Sequence, residues 1–366
     1  MTQQAAEPEM DEYLHIASMQ DASDIHLKAG RPPLLRIRGD LIPTDLPELG
    51  ADDVRRILME ALPTRYWEAF CDQWELDVAY ESREEGRYRL NAFMQRGTVE
   101  VVLRVIPQHM MTMEEIGLPR LARSFASRVR GLVLVTGPVG SGKTTTQAAM
   151  VDSINGRYPC HIITVEDPIE YLHENKKALV SQRAIGLDTL SFAGALRNAL
   201  REDPDVVLVG EMRDLETVRM AITAAETGHL VISTLHTMDA AETVNRIIDI
   251  FPTHQQEQVR MQLAINLVGV IAQTLVKRAS GEGRVAAFEV MANVPAVATA
   301  IRENKIYQIT SVLQSGLKSG MMSLDRSLAQ LVQAGTITYE EGVWRAKNPD
   351  EYAQLAIGKT ESAKGS

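Results

Sequence analysis

Lys143 and Thr144 sit near the end of the stretch GPVGSGKTTT, Gly137 to Thr146, which fits G-x-x-x-x-G-K-[ST] with Gly137, Gly142, Lys143 and Thr144 in the required places. This spacing serves phosphate. Glycines let the backbone approach an anion closely, and the free N–H groups of a helix start point toward it. The Lys143 ammonium can reach the β- and γ-phosphates of a nucleotide, and the Thr144 hydroxyl can ligate Mg²⁺. Pro138, Val139, Gly140 and Ser141 supply the rest of the cradle, with Thr145 beside it. Hydrolysis of a nucleoside triphosphate would further need a metal-holding acid, a group that positions water, and positive charge over the transferring phosphoryl group.

Each requirement has a candidate. Glu211 closes the apolar run that begins at Asp205, the position of a Walker B acid, and is expected to hold Mg²⁺ directly or through water. Glu166 follows His161–Val165 and is expected to orient or deprotonate the attacking water, with Asp167 in support. His229 and His236 flank one further apolar run. Three readings stand open for them: sensing the γ-phosphate, relaying a subunit contact, or ordinary strand-end histidines. Neither has the Cys or acid spacing of a zinc site. Lys143 is the only cation that the motif itself guarantees, so a finger from a second domain or a neighbouring subunit is expected, a contribution of ~10³ to 10⁵ in rate. Arg89, Arg96 and Arg104 are the candidates. If they act in trans the enzyme is an oligomer, and a ring repeats such an interface without end caps.

These residues need elements to hold them. Gly131–Thr136 is a continuous apolar run, as expected of a strand buried on both faces, and Thr145–Ile154 reads as a helix. Beyond it strand and helix alternate, the pattern of a parallel sheet covered by helices on both faces. Ligands bind such sheets at the carboxyl ends of the strands, where both acids fall. Ser191 and Asp214 are predicted helix N-caps, with a stop at Gly228. Thr253 and Gln256 fit a capping box for a helix running to about Val276. Upstream the pattern is α+β: helices over 10–20 and 52–62, and strands over 23–27, 33–38, 75–80, 87–93 and 98–106. The expected division is a domain over 1–106, a proline-bracketed linker with a hinge over 107–119, the phosphate-binding domain over 120–356, and a disordered tail over 357–366.

Composition narrows the class. With 366 residues the chain exceeds one ordinary core, and a net charge of -10 argues against a general nucleic-acid binder. The polar, acidic start lacks the features of a signal peptide, and no apolar run reaches the ~18 residues of a membrane span, so a cytosolic protein is expected. Cys71 and Cys160 are too few for a disulfide framework and are expected to be buried thiols.

Taken together, GPVGSGKTTT, HIITVEDPIEYLH, ALREDPDVVLVGEMRDLETV and ETGHLVISTLHTMDA resemble the Walker A, Asp-box, Walker B and His-box of the secretion-ATPase superfamily. Their order and wording are most similar to the type IV pilus retraction ATPases, the PilT/PilU group. SDIHLKAGRPP and GRYRLNAFMQRGTVEVVLRVIP extend the likeness upstream, to three quarters of the chain or more. The resemblance implies a PAS-like N-terminal α+β domain followed by a RecA-like P-loop ATPase domain. It also implies a homo-hexameric ring with ATP and Mg²⁺ between protomers, at the cytoplasmic face of the inner membrane. Partners would be a pilus platform protein and a paralogous retraction ATPase, with no nucleic acid. It places Glu166 in the Asp-box, Glu211 in Walker B and His229 and His236 in the His-box. Arg89 and Arg104 match the arginines that reach across to the nucleotide, and Arg96 matches less well. The assembly-type members carry a four-cysteine insert that this chain lacks. The C-terminal AIRNLIRE signature is reduced to AVATAIRE, Ala296–Glu303, an element that the family associates with retraction rather than hydrolysis.

Overall fold

Every second residue of the segment Asp24–Lys28 turns to one side, and this alternation organises the N-terminal part of the chain. The computed structural model describes residues 9–106 and 109–357, which divide into two units. The first contains α1 (Glu9–Met19), β1 (Asp24–Lys28), β2 (Leu34–Ile37), β3 (Asp40–Pro43), α2 (Ala51–Ala61), α3 (Thr64–Gln73), β4 (Glu75–Ser82), β5 (Gly86–Gln95) and β6 (Thr98–Ile106). Its strands form an antiparallel sheet ordered β3-β2-β1-β6-β5-β4. Ile25 and Leu27 of β1 share a core with Val54, Ile57 and Leu58 of α2. Residues opposite one another in an antiparallel pair share a face, so the register places Arg36, Asp24, Arg104 and Arg89 in one row across β2, β1, β6 and β5. Arg96 and Gly97, both at positive φ, make the two-residue turn between β5 and β6. The segment Asp167–Leu172 also belongs to this unit, where the Arg87 guanidinium donates to the Ile169 carbonyl at 3.0 and 3.2 Å.

The strands and helices expected here are present to within a few residues, and β3 and α3 are additional. Cys71, on α3, is exposed rather than buried, and Cys160 is half-buried. Helix α3 turns Phe70 inward, which leaves the next position on its outer face.

The second unit contains α4 (Arg120–Phe125), β7 (Gly131–Thr136), α5 (Lys143–Arg157), β8 (His161–Glu166), β9 (Leu179–Ala184), α6 (Phe192–Ala199), β10 (Val206–Val209), α7 (Leu215–Glu226), β11 (Leu230–Leu235), α8 (Ala240–Asp249), α9 (Thr253–Asn266), β12 (Leu267–Lys277) and β13 (Arg284–Ala292). Helices α10 (Pro295–Arg302), α11 (Ile309–Ser315), α12 (Leu324–Gln333), α13 (Tyr339–Arg345) and α14 (Pro349–Ile357) follow. The sheet order is β13-β12-β7-β11-β10-β8-β9, with parallel pairing except between β12 and β13. Strand β7 is buried throughout because it feeds two cores. Leu132 and Leu134 pack with residues of α6 to α9, and Val133 and Val135 with residues of α4 and α5. Each such side chain contributes about 1.5–3 kcal/mol by burial, far more than strand propensity does.

The caps form as expected: Ser191 accepts from the Gly194 N–H, Asp214 accepts from the Thr217 N–H, and Gly228 at φ +111 follows α7. The helix expected from Thr253 to about Val276 does not. It ends at Asn266, and Leu267–Lys277 is the strand beside β7. Pro252 holds the N-cap position, and Gln256 Nε2 donates to the Phe251 carbonyl instead of closing a capping box. Gly269 explains the switch: a Cβ there would lie 2.4 Å from the Met291 carbonyl oxygen and 2.5 Å from the Phe125 ring. Only a bare backbone fits between the neighbouring strand and α4. Met113 and Leu118 are buried in the core of this second unit. Residues 107 and 108 and the tail over 358–366, where disorder is expected, lie outside the described residues.

Candidate nucleotide site

Strand β7 delivers the phosphate loop. Gly137 follows it at φ +142, and a Cβ there would lie 2.2 Å from the Gln273 carbonyl oxygen, so only glycine fits. Gly142, at φ +88, is the N-cap of α5, whose first N–H groups have no carbonyl of their own helix to bind. Ser141 is 2% exposed, and its hydroxyl has no hydrogen-bond partner among the described residues. A buried donor in a loop of positive-φ glycines at a helix start fits an anion cradle. Thr144 and Thr145 are half-buried on the first turn of α5. Gln273 of β12 spans this loop, donating through Nε2 to the Ser141 carbonyl at 2.7 Å and accepting at Oε1 from the Thr146 hydroxyl at 2.8 Å.

Lys143 folds back onto its own loop, where Nζ donates to the carbonyls of Gly137 at 2.8 Å and Pro138 at 3.0 Å. Burial pushes its pKa below the usual lysine value, partly opposed by the negative charge of Glu211. His236 stands one residue past β11 with its ring between them, Nδ1 at 3.4 Å from Lys143 Nζ and Nε2 at 3.5 Å from Glu211 Oε2. Glu211, two residues past β10, also pairs with Arg213 Nε at 2.6 Å. The loop that carries it is fixed against β11, since the Thr234 hydroxyl donates to the Gly210 carbonyl and the Met212 N–H to the Thr234 carbonyl.

Glu166 is the last residue of β8 and 9% exposed; its Oε1 accepts from the Thr164 hydroxyl at 2.6 Å and from Gln182 Nε2 at 3.2 Å. A Cβ at Gly210 would lie 3.4 Å from the Glu166 Cα, which shows how closely the two acid-bearing strand ends approach. Parallel pairing puts Gly137, Glu166, Glu211 and His236 at one edge of the sheet, the edge where open α/β sheets bind ligands. The arrangement offers a phosphate cradle, one ammonium, two carboxylates and an imidazole.

Other expected residues lie elsewhere. His229 stands at the start of β11, a full strand length or roughly 20 Å from His236, and its Nδ1 is 2.9 Å from the Ala224 carbonyl oxygen. Arg89, Arg96, Arg104 and Asp167 belong to the first unit. Arg89 makes a bidentate pair with Asp77 at 2.9 and 2.5 Å and has Glu170 at 3.7 Å; these carboxylates hold its pKa above the usual arginine value against burial. Arg104 Nε donates to Asp24 Oδ1 at 2.8 Å. Arg96 and Asp167 are exposed. Gln273, Thr164, Gln182 and Arg213 join these groups without belonging to any of the expected site residues. The one signal for Gln273 was a polar residue inside an apolar run.

Residues 75–310 match the family described as type II/IV secretion system protein. The chain belongs to this family. It is a P-loop ATPase, a nucleotide-binding enzyme, and its two-part α/β fold is the one that the sequence implied. The secretion ATPase is similar to the type IV pilus retraction ATPase PilT of Pseudomonas aeruginosa, at 47% identity over 344 residues, 94% of this chain and 100% of that one. Its similarity to the type IV pilus ATPase PilU of the same organism is 37% over 343 residues, 94% of this chain and 90% of that one. Among solved structures, the pilus retraction motor PilT with bound ADP aligns with a TM-score of 0.86 and 45% identity, covering 93% of this chain and 97% of that one. Among the described residues no helix is long and apolar enough to cross a membrane.

Proposed function

We propose that this secretion ATPase is the motor that withdraws a type IV pilus, working as a homo-hexameric ring at the cytoplasmic face of the inner membrane against a platform protein. A paralogous retraction ATPase is a further candidate partner, and nucleic acid is not expected to be one. The observation that carries the reading is the meeting of Lys143, His236 and Glu211 beside the phosphate loop, with Glu166 at the neighbouring strand end, in a chain so similar to PilT. The backbone of Gly137, Pro138, Val139, Gly140, Ser141 and Gly142 holds the phosphates with Lys143, and Thr145 adjoins them. The Thr144 hydroxyl and the Glu211 carboxylate, oxygen donors suited to a hard cation, would hold Mg²⁺, Glu211 directly or through water. The chemistry it would supply there is neutralisation of phosphate charge. Glu166 orients or deprotonates water, with Asp167 beside it in the chain. Arg89 and Arg104, with Arg96 as a weaker candidate, supply charge to a neighbour's nucleotide, and His229 serves that contact between subunits rather than its own phosphate loop.

The test is steady-state ATP hydrolysis by the purified protein, with its oligomeric mass measured in the same buffer and Glu211→Ala as the blank. Turnover that follows the hexamer and vanishes in the variant supports the motor. ATP binding without turnover in an assembled ring would shift the reading to an accessory, PilU-like subunit, the role that the altered Ala296–Glu303 element on α10 leaves open.

A further inference from the structure

Gln273, outside the phosphate loop, meets it at three places, by two hydrogen bonds and one close backbone approach. Strand β12 pairs with β7 in parallel so that Ala272 lies opposite Thr136, the last residue before the loop, and Gln273 comes level with Gly137. Its backbone carbonyl fills the space that a side chain at Gly137 would take. Its Nε2 donates to the Ser141 carbonyl at 2.7 Å, and its Oε1 accepts from Thr146 on the first turn of α5 at 2.8 Å. The residue is 4% exposed, so neither end of the amide has bulk water as a substitute partner.

The bond to Ser141 has a geometric consequence. Across a planar trans peptide, the C=O of one residue and the N–H of the next point in opposite directions. A Ser141 carbonyl turned toward β12 therefore turns the Gly142 N–H away from it, among the donors at the start of α5 that face an anion. From this geometry we infer that Gln273 is a positioning residue: it sets the peptide plane that aims a phosphate-binding N–H, and it ties the loop to β12. It touches no phosphate itself. The inference rests on the reading of this loop as the nucleotide site. It goes beyond that reading by making the β12–β13 hairpin respond to nucleotide.

The experiment measures the affinity of the full-length protein for a fluorescent ADP analogue by anisotropy, alongside thermal melting. Gln273→Leu and Gln273→Glu both lose the donor to Ser141, although the glutamate keeps an acceptor for Thr146; both are expected to weaken binding about tenfold or more, the size of one lost buried hydrogen bond. Thr146→Val loses only the other contact and is expected to stay within about threefold. A merely structural role would lower the melting temperature of all three while the folded protein bound with wild-type affinity, and that result overturns the inference. If neither Gln273 variant folds, hydrogen exchange of the wild-type segment 267–277 decides, since ADP should slow it and an unchanged rate overturns the inference. Absence of ADP binding in the folded wild type would remove the nucleotide reading itself, and the role of Gln273 with it.

Discussion

His236 Nδ1 lies 3.4 Å from Lys143 Nζ, so the imidazole of the strand end is in direct contact with the ammonium of the phosphate loop. The other ring nitrogen, Nε2, lies 3.5 Å from Glu211 Oε2, so the imidazole joins the loop's ammonium to the acid. His236→Ala is therefore expected to lower turnover by about a hundred- to a thousandfold, as for the loss of one polar group acting on the reacting phosphate. His229→Ala should leave ADP affinity within about twofold, because no lost hydrogen bond faces the loop. Single-turnover hydrolysis by His236→Ala and ADP binding by His229→Ala check the pair; wild-type turnover in the first, or a tenfold loss of affinity in the second, would refute the assignment.

Arg104 and Lys143 are expected to complement one another across subunits. Rings of Arg104→Ala alone and of Lys143→Ala alone should each lose about 10³-fold or more in turnover, the range for an arginine finger or a phosphate-binding cation. Mixed rings contain some interfaces with both residues intact and should recover part of the activity. Mixed rings of normal mass with no recovery would place Arg104 in a structural role, as the partner of Asp24.

Asp24 should make the first unit acid-sensitive. Burial alone would raise its pKa, but hydrogen bonds from Arg104 and Ser23 and the charges of Arg104 and Arg36 outweigh that effect and hold it below the usual carboxylate value. A carboxylate with a depressed folded pKa stabilises fully above its unfolded value of about 3.9, and the contribution is lost as pH falls through the folded value. Asp24→Asn is expected to cost about 1–2 kcal/mol at pH 7, with the gap to wild type closing below pH 4. Urea unfolding from pH 2.5 to 7 measures both limbs.

Glu289 has the opposite sign. It is 6% exposed on β13, and burial raises its pKa although the Ala240 N–H and the charge of Lys347 oppose the shift. Between the ordinary glutamate value of about 4.3 and the raised folded value, the native state holds more protons than the unfolded chain, so stability falls as pH rises through that window. Glu289→Gln keeps an acceptor for Ala240 and does not ionise. Its denaturation midpoint should match wild type near pH 4, exceed it increasingly as pH rises through that window and level off above it, and a constant offset would contradict the assignment.

The catalytic edge was legible because its residues sit in a pattern that survives without coordinates: apolar strand, then glycine or acid. Gly137, Glu166 and Glu211 each follow such a run, and parallel pairing gathers the ends. The second half of the sheet was not legible in this way. Leu267–Lys277 is apolar enough for either a helix or a strand, and the preceding helix suggested continuation; Gly269 decides only once Phe125 and Met291 are seen around it. Gln273 was lost in the same misreading, as a polar interruption rather than a clamp. Which histidine meets the loop depends on strand direction. The row of Arg36, Asp24, Arg104 and Arg89 depends on register, which single-strand patterns do not contain.

The place of β12 beside β7 has a consequence for the order of events during synthesis. The strand that ends in the phosphate loop is complete by residue 136, yet one of its two neighbours in the sheet is β12, which ends at Lys277. Pairings so distant along the chain close late, after the loop entropy between them has been overcome. The phosphate loop therefore gains the wall that β12 supplies only when residues up to 277 are in place, so its final shape depends on chain far downstream of the Walker A motif.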